Sequence, residues 1–303
     1  MKLSVITPDN SRRVFVRSST LPRLAALAVL LLFCATAHTG YAKEAGEQER
    51  LLQQLMGAAA DGSDPNMLTA LIKAGADVNA RDNEGRTPLM RAANRNPNPE
   101  VITALVKAGA DVNAKDNNGM TPLMWTRGER ASEVIPILKE AGADINAKDK
   151  KGWTPLMWAA GGEFFADSQA ITALLKSGAD VNARDNEGRT PLMRTAESYD
   201  PEAVTLFIKA GADINAKDKR KWTPLMYAAI ERDYPTIVTS LEQETIIALL
   251  RLGADPKPKD VFGKRAIDYA RKNWRLKSEI NYARKHGRLK GVDALKQLEE
   301  ASR

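Results

Sequence analysis

Acidic residues recur in pairs five positions apart, and paired carboxylates are the groups that serve general acid–base catalysis or bind metal ions. The first pairs are Asp77 with Asp82 and Asp111 with Asp116, and later pairs repeat the spacing. Every pair lies in the same local sequence, so a turn-forming role for aspartate accounts for all of them together. The pattern therefore favours a structural role for these acids over a catalytic one.

Other residues that could do chemistry are scarce. Asp111, Asn113 and Asp116 resemble the start of a calcium loop, but the glycine at its sixth position and the glutamate at its twelfth are missing. The only cysteine, Cys34, lies in an apolar segment near the start, and His286 is the only histidine beyond residue 42. This excludes cysteine–histidine nucleophiles and the usual zinc ligand sets. We predict no catalytic residue, no metal site, no cofactor and no enzyme activity.

The chain repeats one phrase, Thr-Pro-Leu-Met, at intervals of 34, 33, 36 and 33 residues. A second phrase, Gly-Ala-Asp-(Val/Ile)-Asn-Ala, precedes each copy. Self-similarity at this period is typical of a solenoid built from stacked helical units. The copies begin at Thr87 and Pro88, Thr121 and Pro122, Thr154 and Pro155, Thr190 and Pro191, and Thr223 and Pro224.

Each phrase has a mechanical role in such a unit. Thr87 is placed to cap a helix whose first residue is Pro88, because the threonine hydroxyl accepts a backbone N–H and proline fits the first helical position. A second helix is predicted from Pro99 to Ala108, and Gly109 ends it. Asp and Asn residues then form an extended turn that leads to the next threonine.

These units are similar to ankyrin repeats, and the resemblance covers roughly residues 47 to 273. It implies an all-α ankyrin-repeat solenoid, in which helix-turn-helix units are joined by β-hairpin-like turns and closed by capping units. The chain departs from the family pattern at Lys221, which replaces the hairpin glycine, so that this turn is expected to be strained. Methionine also replaces the family's histidine, at Met90, Met124, Met157, Met193 and Met226. We expect the thioethers to fill the gaps between repeats.

The repeats divide the chain into four regions. We predict a signal peptide over residues 1–42, an N-terminal capping repeat over 43–80, five repeats over 81–258, and a basic C-terminal cap with a helical tail over 259–303. Two insertions, at residues 161–165 and 234–244, lengthen the connections between helices, and the sequence assigns them no role.

The first 42 residues carry the features of an export signal. An apolar run from Leu24 to Ala37 follows basic residues and precedes Gly40-Tyr41-Ala42, a small-x-small cleavage pattern. The run is too short to cross a bilayer as a helix. The segment from Ser11 to Arg17 resembles the twin-arginine motif, although a general secretory signal with a chance arginine pair is the alternative. We predict cleavage after Ala42 and a periplasmic location.

Two positions vary between repeats: the residue after the hairpin glycine and the residue after the methionine. Within each repeat the two residues are of one chemical kind, and four of the five tryptophans occupy these columns. The resemblance places both columns towards the concave face, and Trp, Tyr and Arg dominate the energetics of protein interfaces. The candidate partner-binding residues are Arg86, Arg91, Met120, Trp125, Trp153, Trp158, Arg189, Arg194, Trp222 and Tyr227.

The sequence therefore predicts a non-catalytic protein–protein interaction module of the cell envelope, with an unidentified protein partner. Residues 257–290 carry a formal charge of +9, so an alternative is a peripheral adaptor that binds an anionic membrane surface through the C-terminal cap. A further alternative is an accessory or protective subunit of a separately encoded periplasmic enzyme. Export argues against a nucleic-acid partner, although the charge would allow one.

Overall fold

A computed structural model describes residues 2–6, 13–17, 46–61, 64–95, 98–161, 166–230, 239–273 and 294–303. The chain divides into two compact units, Met1–Leu51 and Leu52–Arg303. Several predicted features lie outside the described residues: the cleavage site after Ala42, most of the insertion at 161–165, residues 234–238 of the second insertion, and much of the basic tail.

The first unit contains a two-stranded antiparallel hairpin. Strand β1, Lys2–Ile6, pairs with β2, Arg13–Arg17, so that Lys2 lies opposite Arg17. These strands fall inside the proposed export signal and were not predicted from the sequence. Export itself stays a prediction.

Outside this hairpin, the described residues form helices and turns, and the all-α prediction is confirmed for the array. Helices of neighbouring units pack against each other along the chain. They are α1 (46–61), α2 (Pro65–Lys73), α3 (Pro88–Arg95), α4 (Pro99–Lys107), α5 (Pro122–Trp125), α6 (Ala131–Glu140), α7 (Pro155–Gly161), α8 (Ser168–Lys176), α9 (Pro191–Glu197), α10 (Pro201–Lys209), α11 (Pro224–Ala229), α12 (Thr239–Arg251), α13 (Ala266–Ala270) and α14 (Ala294–Ala301).

The repeated threonine caps the first helix of a unit, as the sequence indicated. The hydroxyls of Thr87, Thr154, Thr190 and Thr223 accept the backbone N–H three residues ahead at 3.3–3.4 Å. Thr121 is the exception, since its buried hydroxyl has no hydrogen-bond partner within the described part of the chain. The short helix α5 that it precedes consequently has a weaker start.

The methionines that replace the family's histidine are buried, at 0–1% exposure. In two repeats the sulfur also accepts a hydrogen bond: the backbone N–H of Thr121 donates to Sδ of Met124, and that of Thr190 to Sδ of Met193, both at 3.4 Å. The thioether thus fills space between helices and satisfies a donor at the helix start.

The asparagine of each Gly-Ala-Asp-x-Asn-Ala phrase links one repeat to the next. The side chain of Asn113 donates to the carbonyl of Gly142 at 2.9 Å, and its oxygen accepts the N–H of Asp144 at 2.8 Å. Asn79 and Asn182 make the same two bonds to their following repeats. We expected Asn113 to be only a turn residue, and this prediction was incomplete, because a two-sided amide is what the junction requires.

The extended turns are also joined to one another by backbone hydrogen bonds. The N–H groups of Asn117, Lys150, Asn186, Lys219 and Val261 each donate to a carbonyl in the preceding turn at 3.0–3.1 Å. The bonds run without a break from the turn at Asp82 to the turn at Asp260. Residues of successive turns therefore keep a constant register along the array.

Lys221 adopts the left-handed conformation that glycine adopts in the other turns, with φ at 61°. The turn keeps its usual bonds, since the N–H of Lys221 donates to Asp218 at 3.0 Å and that of Asp218 to Trp222 at 3.1 Å. The expected strain is therefore present in the backbone conformation, but the hydrogen bonding of the turn is not distorted.

Replacing Lys221 by glycine is expected to raise the free energy of unfolding by about 1 kcal/mol, because a left-handed conformation is unfavourable for a residue with a Cβ. Urea denaturation followed by circular dichroism measures this change. Lys219→Gly, in the same turn without a positive φ, is the matched control and should lower stability. A Lys221→Gly variant less stable than the wild type would contradict the assignment of strain.

Candidate protein-binding surface

The two variable columns are organised by the aspartate that begins each extended turn. Oδ1 of this residue accepts the backbone N–H groups two and four residues ahead, at 2.7–3.0 Å. Oδ2 is left for side-chain donors, and the two columns lie four and nine residues after the aspartate. We call these residues the turn aspartates: Asp82, Asp116, Asp149, Asp185, Asp218 and Asp260.

In the first repeat both column residues bind the same carboxylate oxygen. Nε of Arg86 donates to Oδ2 of Asp82 at 2.9 Å, and Nη2 of Arg91 does so at 2.6 Å. Burial opposes the charged form of Asp82, but the hydrogen bonds from Arg86 and Arg91 outweigh it and hold the pKa of this carboxyl below its ordinary value. Both arginine side chains are partly exposed.

In the third repeat the two residues are indoles in mutual contact. The ring centroids of Trp153 and Trp158 lie 4.8 Å apart with the planes tilted by 60°. Nε1 of Trp158 donates to Oδ2 of Asp149 at 3.0 Å, whereas Nε1 of Trp153 is buried with no partner within the described residues. Trp153 is 7% exposed, and Trp158 is partly exposed.

Arg194 of the fourth repeat packs against the third repeat. The guanidinium carbon of Arg194 lies 4.0 Å from the ring centroid of Trp153, and the side chain donates to the carbonyl of Gly161 at 2.6 Å and to Glu197 at 2.5 Å. Arg194 is 8% exposed and Glu197 is 4% exposed. Arg189, the other variable residue of the fourth repeat, donates to Asp185 at 2.8 Å and is partly exposed. The pair thus divides between an inter-repeat contact and a contact within its own turn.

In the fifth repeat the aromatic pair joins the C-terminal turn. The hydroxyl of Tyr227 donates to Asp218 at 2.8 Å, and Nε1 of Trp222 donates to Asp260 at 3.1 Å. Tyr269, nine residues after Asp260, also donates to that aspartate. Burial, together with the hydrogen bonds to the aspartates, raises the pKa of Tyr227 and of Tyr269 to about 12. Both phenols are therefore neutral donors at physiological pH.

The second repeat departs from this pattern. Met120 is buried with Met124 and Ala147, and Trp125 and Trp158 pack against this cluster. Nε1 of Trp125 is buried and has no hydrogen-bond partner in the described part of the chain, so Trp125 is not anchored to Asp116 as Trp158 is to Asp149. Trp125 is partly exposed.

Trp125 and Trp158 line a cleft of about 400 Å³ between the second and third repeats. We call it the tryptophan cleft. Met120 lies against the two indoles, and Asp149 is held in place by its bonds to its own turn and to Trp158. The full lining is Asn94, Asn118, Met120, Trp125, Arg127, Asp149, Lys150, Lys151 and Trp158.

Burial divides the ten candidate residues into two groups. Met120, Trp153, Arg194, Trp222 and Tyr227 are buried at 1–8% exposure, which corrects the expectation that all ten are open to a partner. Contacts between units bury two of them: Arg194 packs on Trp153 of the third repeat, and Trp222 donates to Asp260 in the turn that follows the fifth repeat. Arg86, Arg91, Trp125, Trp158 and Arg189 are partly exposed, and their role in binding stays a prediction.

Sequence reasoning missed Arg127, Lys150 and Lys151, which lie outside the two columns and border the cleft. It also missed the link between the columns and the turn aspartates. The signal was present in the constant separations of four and nine residues. In the first repeat both arginines bind one carboxylate, and in the third and fifth repeats the two aromatic side chains pack against each other.

The lowered pKa of Asp82 gives stability that depends on pH. The bonds from Arg86 and Arg91 favour the charged form, so this stability is present above the ordinary pKa of 3.8 and is lost as the pH falls through the lower pKa of the folded state. We expect Asp82→Asn to cost about 1 kcal/mol at pH 7. The difference from the wild type should shrink below pH 3.8 in thermal melts, and a difference that grows there would contradict this assignment.

The described residues hold no group of three or more His, Cys, Asp or Glu side chains placed to bind a metal ion. Within the same residues, no helix has the length and apolar character that spanning a membrane requires.

Stacked helix pairs with a variable surface define a repeat scaffold of the protein-binding class. Comparison with protein-family models matches the chain to the family described as Ankyrin repeats (3 copies), over residues 55–149, 96–185, 127–218 and 163–260. The chain belongs to the ankyrin repeat family. Such proteins are typically non-catalytic binding modules, so the partner is expected to be another protein. A search of curated proteins finds no match.

Proposed function

We propose that the protein is a non-catalytic binding module of the cell envelope that holds a protein partner on the array surface around the tryptophan cleft. The observation that carries this proposal is the pair of partly exposed indoles, Trp125 and Trp158, which pack on a buried methionine cluster and line one cleft. Aromatic side chains in such settings are frequent centres of binding energy. The surface is built on repeats that hydrogen bonds keep in register, so little ordering is needed on binding.

Capture of a partner from envelope extracts tests this function. The mature chain is immobilised as the wild type and as Trp125→Ala, with circular dichroism confirming that both are folded. We expect Trp125→Ala to weaken capture of the same partner at least tenfold, because the cleft loses one aromatic wall. Lys139→Ala, on an exposed part of α6 outside the cleft, is the control and should leave capture unchanged. Equal capture by all three proteins would contradict the proposal.

The cell-envelope location is tested separately. Export predicts that the protein recovered from the periplasmic fraction begins at Lys43, which N-terminal sequencing detects. A chain that keeps its first residues and fractionates with the cytosol would contradict this part of the proposal and leave the binding function intact. Replacing Arg12 and Arg13 by lysine separates the two export routes, since only the twin-arginine route requires that pair.

A second function, peripheral binding to an anionic membrane, is favoured by the last extended turn. Phe262 is 73% exposed and Val261 is 50% exposed, and Lys257 and Lys259 beside them are exposed as well. Exposed apolar side chains flanked by lysines suit a surface of anionic headgroups. Sedimentation with phosphatidylglycerol vesicles tests this, and Phe262→Ala with Lys257→Glu and Lys259→Glu should abolish it. The absence of sedimentation by the wild type would exclude the adaptor function, and sedimentation that these changes leave unaltered would exclude the last extended turn as the contact.

A further inference from the structure

The tryptophan cleft combines apolar side chains with positively charged ones. Met120, Trp125 and Trp158 supply the apolar part of the lining, and the guanidinium carbon of Arg127 lies 5.7 Å from the ring centroid of Trp158. The lysines of the rim, Lys150 and Lys151, are both exposed. An occupant of this cleft therefore meets aromatic faces and cationic groups within one small volume.

The one acid in the lining does not cancel this charge for an occupant. Oδ1 of Asp149 accepts the N–H groups of Lys151 and Trp153, both at 2.8 Å, and its Oδ2 accepts Nε1 of Trp158 at 3.0 Å. The carboxylate is buried and its oxygens are engaged in the turn. Three cations against one acid give the lining a formal charge of +2, and Lys150 and Lys151 are the exposed cations among them.

The two indoles are held differently. Trp158 is fixed by its bond to Asp149, whereas Nε1 of Trp125 has no acceptor in the described part of the chain, unlike its counterparts Arg91 and Tyr227. Trp158 thus forms a fixed wall. The Trp125 side chain has no hydrogen bond to a turn aspartate, so it can change position around the ring of an occupant without losing a hydrogen bond.

We propose that the cleft binds an acidic segment of the partner that carries an aromatic side chain, with the ring between Trp125 and Trp158 and the flanking carboxylates at Lys150, Lys151 and Arg127. The volume of about 400 Å³ accommodates one aromatic side chain with its backbone. Indole faces favour an aromatic ring, and lysine and arginine favour carboxylates. This inference rests on the proposed function and specifies the chemistry of the partner.

Three blocked tripeptides test it directly: acetyl-Glu-Phe-Glu-amide, acetyl-Lys-Phe-Lys-amide and acetyl-Glu-Ala-Glu-amide. Binding to the mature chain is followed by tryptophan fluorescence excited at a wavelength where phenylalanine does not absorb. We expect saturable binding of the acidic phenylalanine peptide, at least tenfold weaker binding of each of the other two, and weaker binding as salt rises. Equal affinity for the acidic and basic peptides would overturn the inference.

Variants assign the binding to the cleft. Lys150→Glu with Lys151→Glu should weaken the acidic phenylalanine peptide at least tenfold, while Lys107→Glu with Lys139→Glu, the same charge change at exposed positions outside the cleft, should leave affinity within twofold at moderate salt. Trp125→Ala should weaken binding of this peptide without changing the preference of the cleft for acidic flanking residues. Equal effects of the two double variants would overturn the inference, since binding would then follow net charge alone.

Two results would separate an error in the acidic aromatic chemistry from an error in the proposed binding function. If Trp125→Ala abolishes capture of the protein partner but the peptides show no preference for acidic flanks, the binding surface stands and the acidic aromatic chemistry is wrong. If the peptides bind as expected but partner capture ignores Trp125→Ala, the cleft is a peptide site and the wider binding surface is wrong.

Discussion

Replacing Arg194 by alanine is expected to lower the free energy of unfolding by about 3–5 kcal/mol, because it removes one member of a buried ion pair. Glu197, at 4% exposure, then lacks the guanidinium that lies 2.5 Å from it. The contact of Arg194 with the ring of Trp153 and its bond to Gly161 are lost in the same substitution. Urea denaturation measures the change, and native-state hydrogen exchange should place it in α7 and α9.

Two further variants separate charge from packing at this position. Arg194→Met with Glu197→Leu removes both charges and keeps apolar volume, so it should recover most of the lost stability. Arg86→Ala, which removes a partly exposed arginine while Arg91 still binds Asp82, should cost less than about 1 kcal/mol. If Arg194→Ala lowers the free energy of unfolding no more than Arg86→Ala does, the contacts of Arg194 with the third repeat and with Glu197 do not stabilise the array as described.

Replacing Trp222 by alanine is expected to cost about 3–5 kcal/mol, as large-to-small changes at buried aromatic sites do. Trp222 lies 5.2 Å from the ring centroid of Tyr227 and 4.8 Å from that of Tyr269, and it donates to Asp260. It therefore joins the fifth repeat to the turn and helix that follow. Hydrogen exchange should show lost protection in α13, with the repeats before α7 largely unchanged, because repeat arrays transmit stability mainly between neighbours.

The conservative change Trp222→Phe provides the control, since it keeps an aromatic ring at this site and removes the donor to Asp260 with a small part of the indole volume. We expect a cost of about 1 kcal/mol for this variant. If Trp222→Ala destabilises all repeats equally, the array unfolds as one cooperative unit and the local account of this junction is wrong.

The repeat architecture was predictable from sequence because its determinants are local. Thr-Pro at a helix start and glycine at a helix end act within one unit, and the structure places Pro88, Pro122, Pro155, Pro191 and Pro224 at the first positions of α3, α5, α7, α9 and α11. The strain at Lys221 was also predictable, since a positive φ is a property of a single residue.

The exposure of the candidate residues was not predictable in the same way, because it depends on contacts between repeats. Nothing within the fourth repeat alone indicates that Arg194 covers Trp153 of the third. The hydrogen bond from Trp222 to Asp260 joins residues 38 positions apart, and the insertion between them interrupts the repeat period of the sequence. The cleft likewise requires the register that hydrogen bonds between turns impose, and this register brings Arg127 and Lys150 beside Trp125 and Trp158.

The most direct measurement of partner binding at the cleft is photo-crosslinking in living cells. A benzophenone amino acid is placed at Lys151, on the rim of the tryptophan cleft, or at Lys139, on α6 outside it. Binding at the cleft predicts one partner crosslinked from position 151, absent from position 139, and lost when Trp125 is replaced by alanine. The same partner crosslinked from position 139 and not from 151 would contradict it.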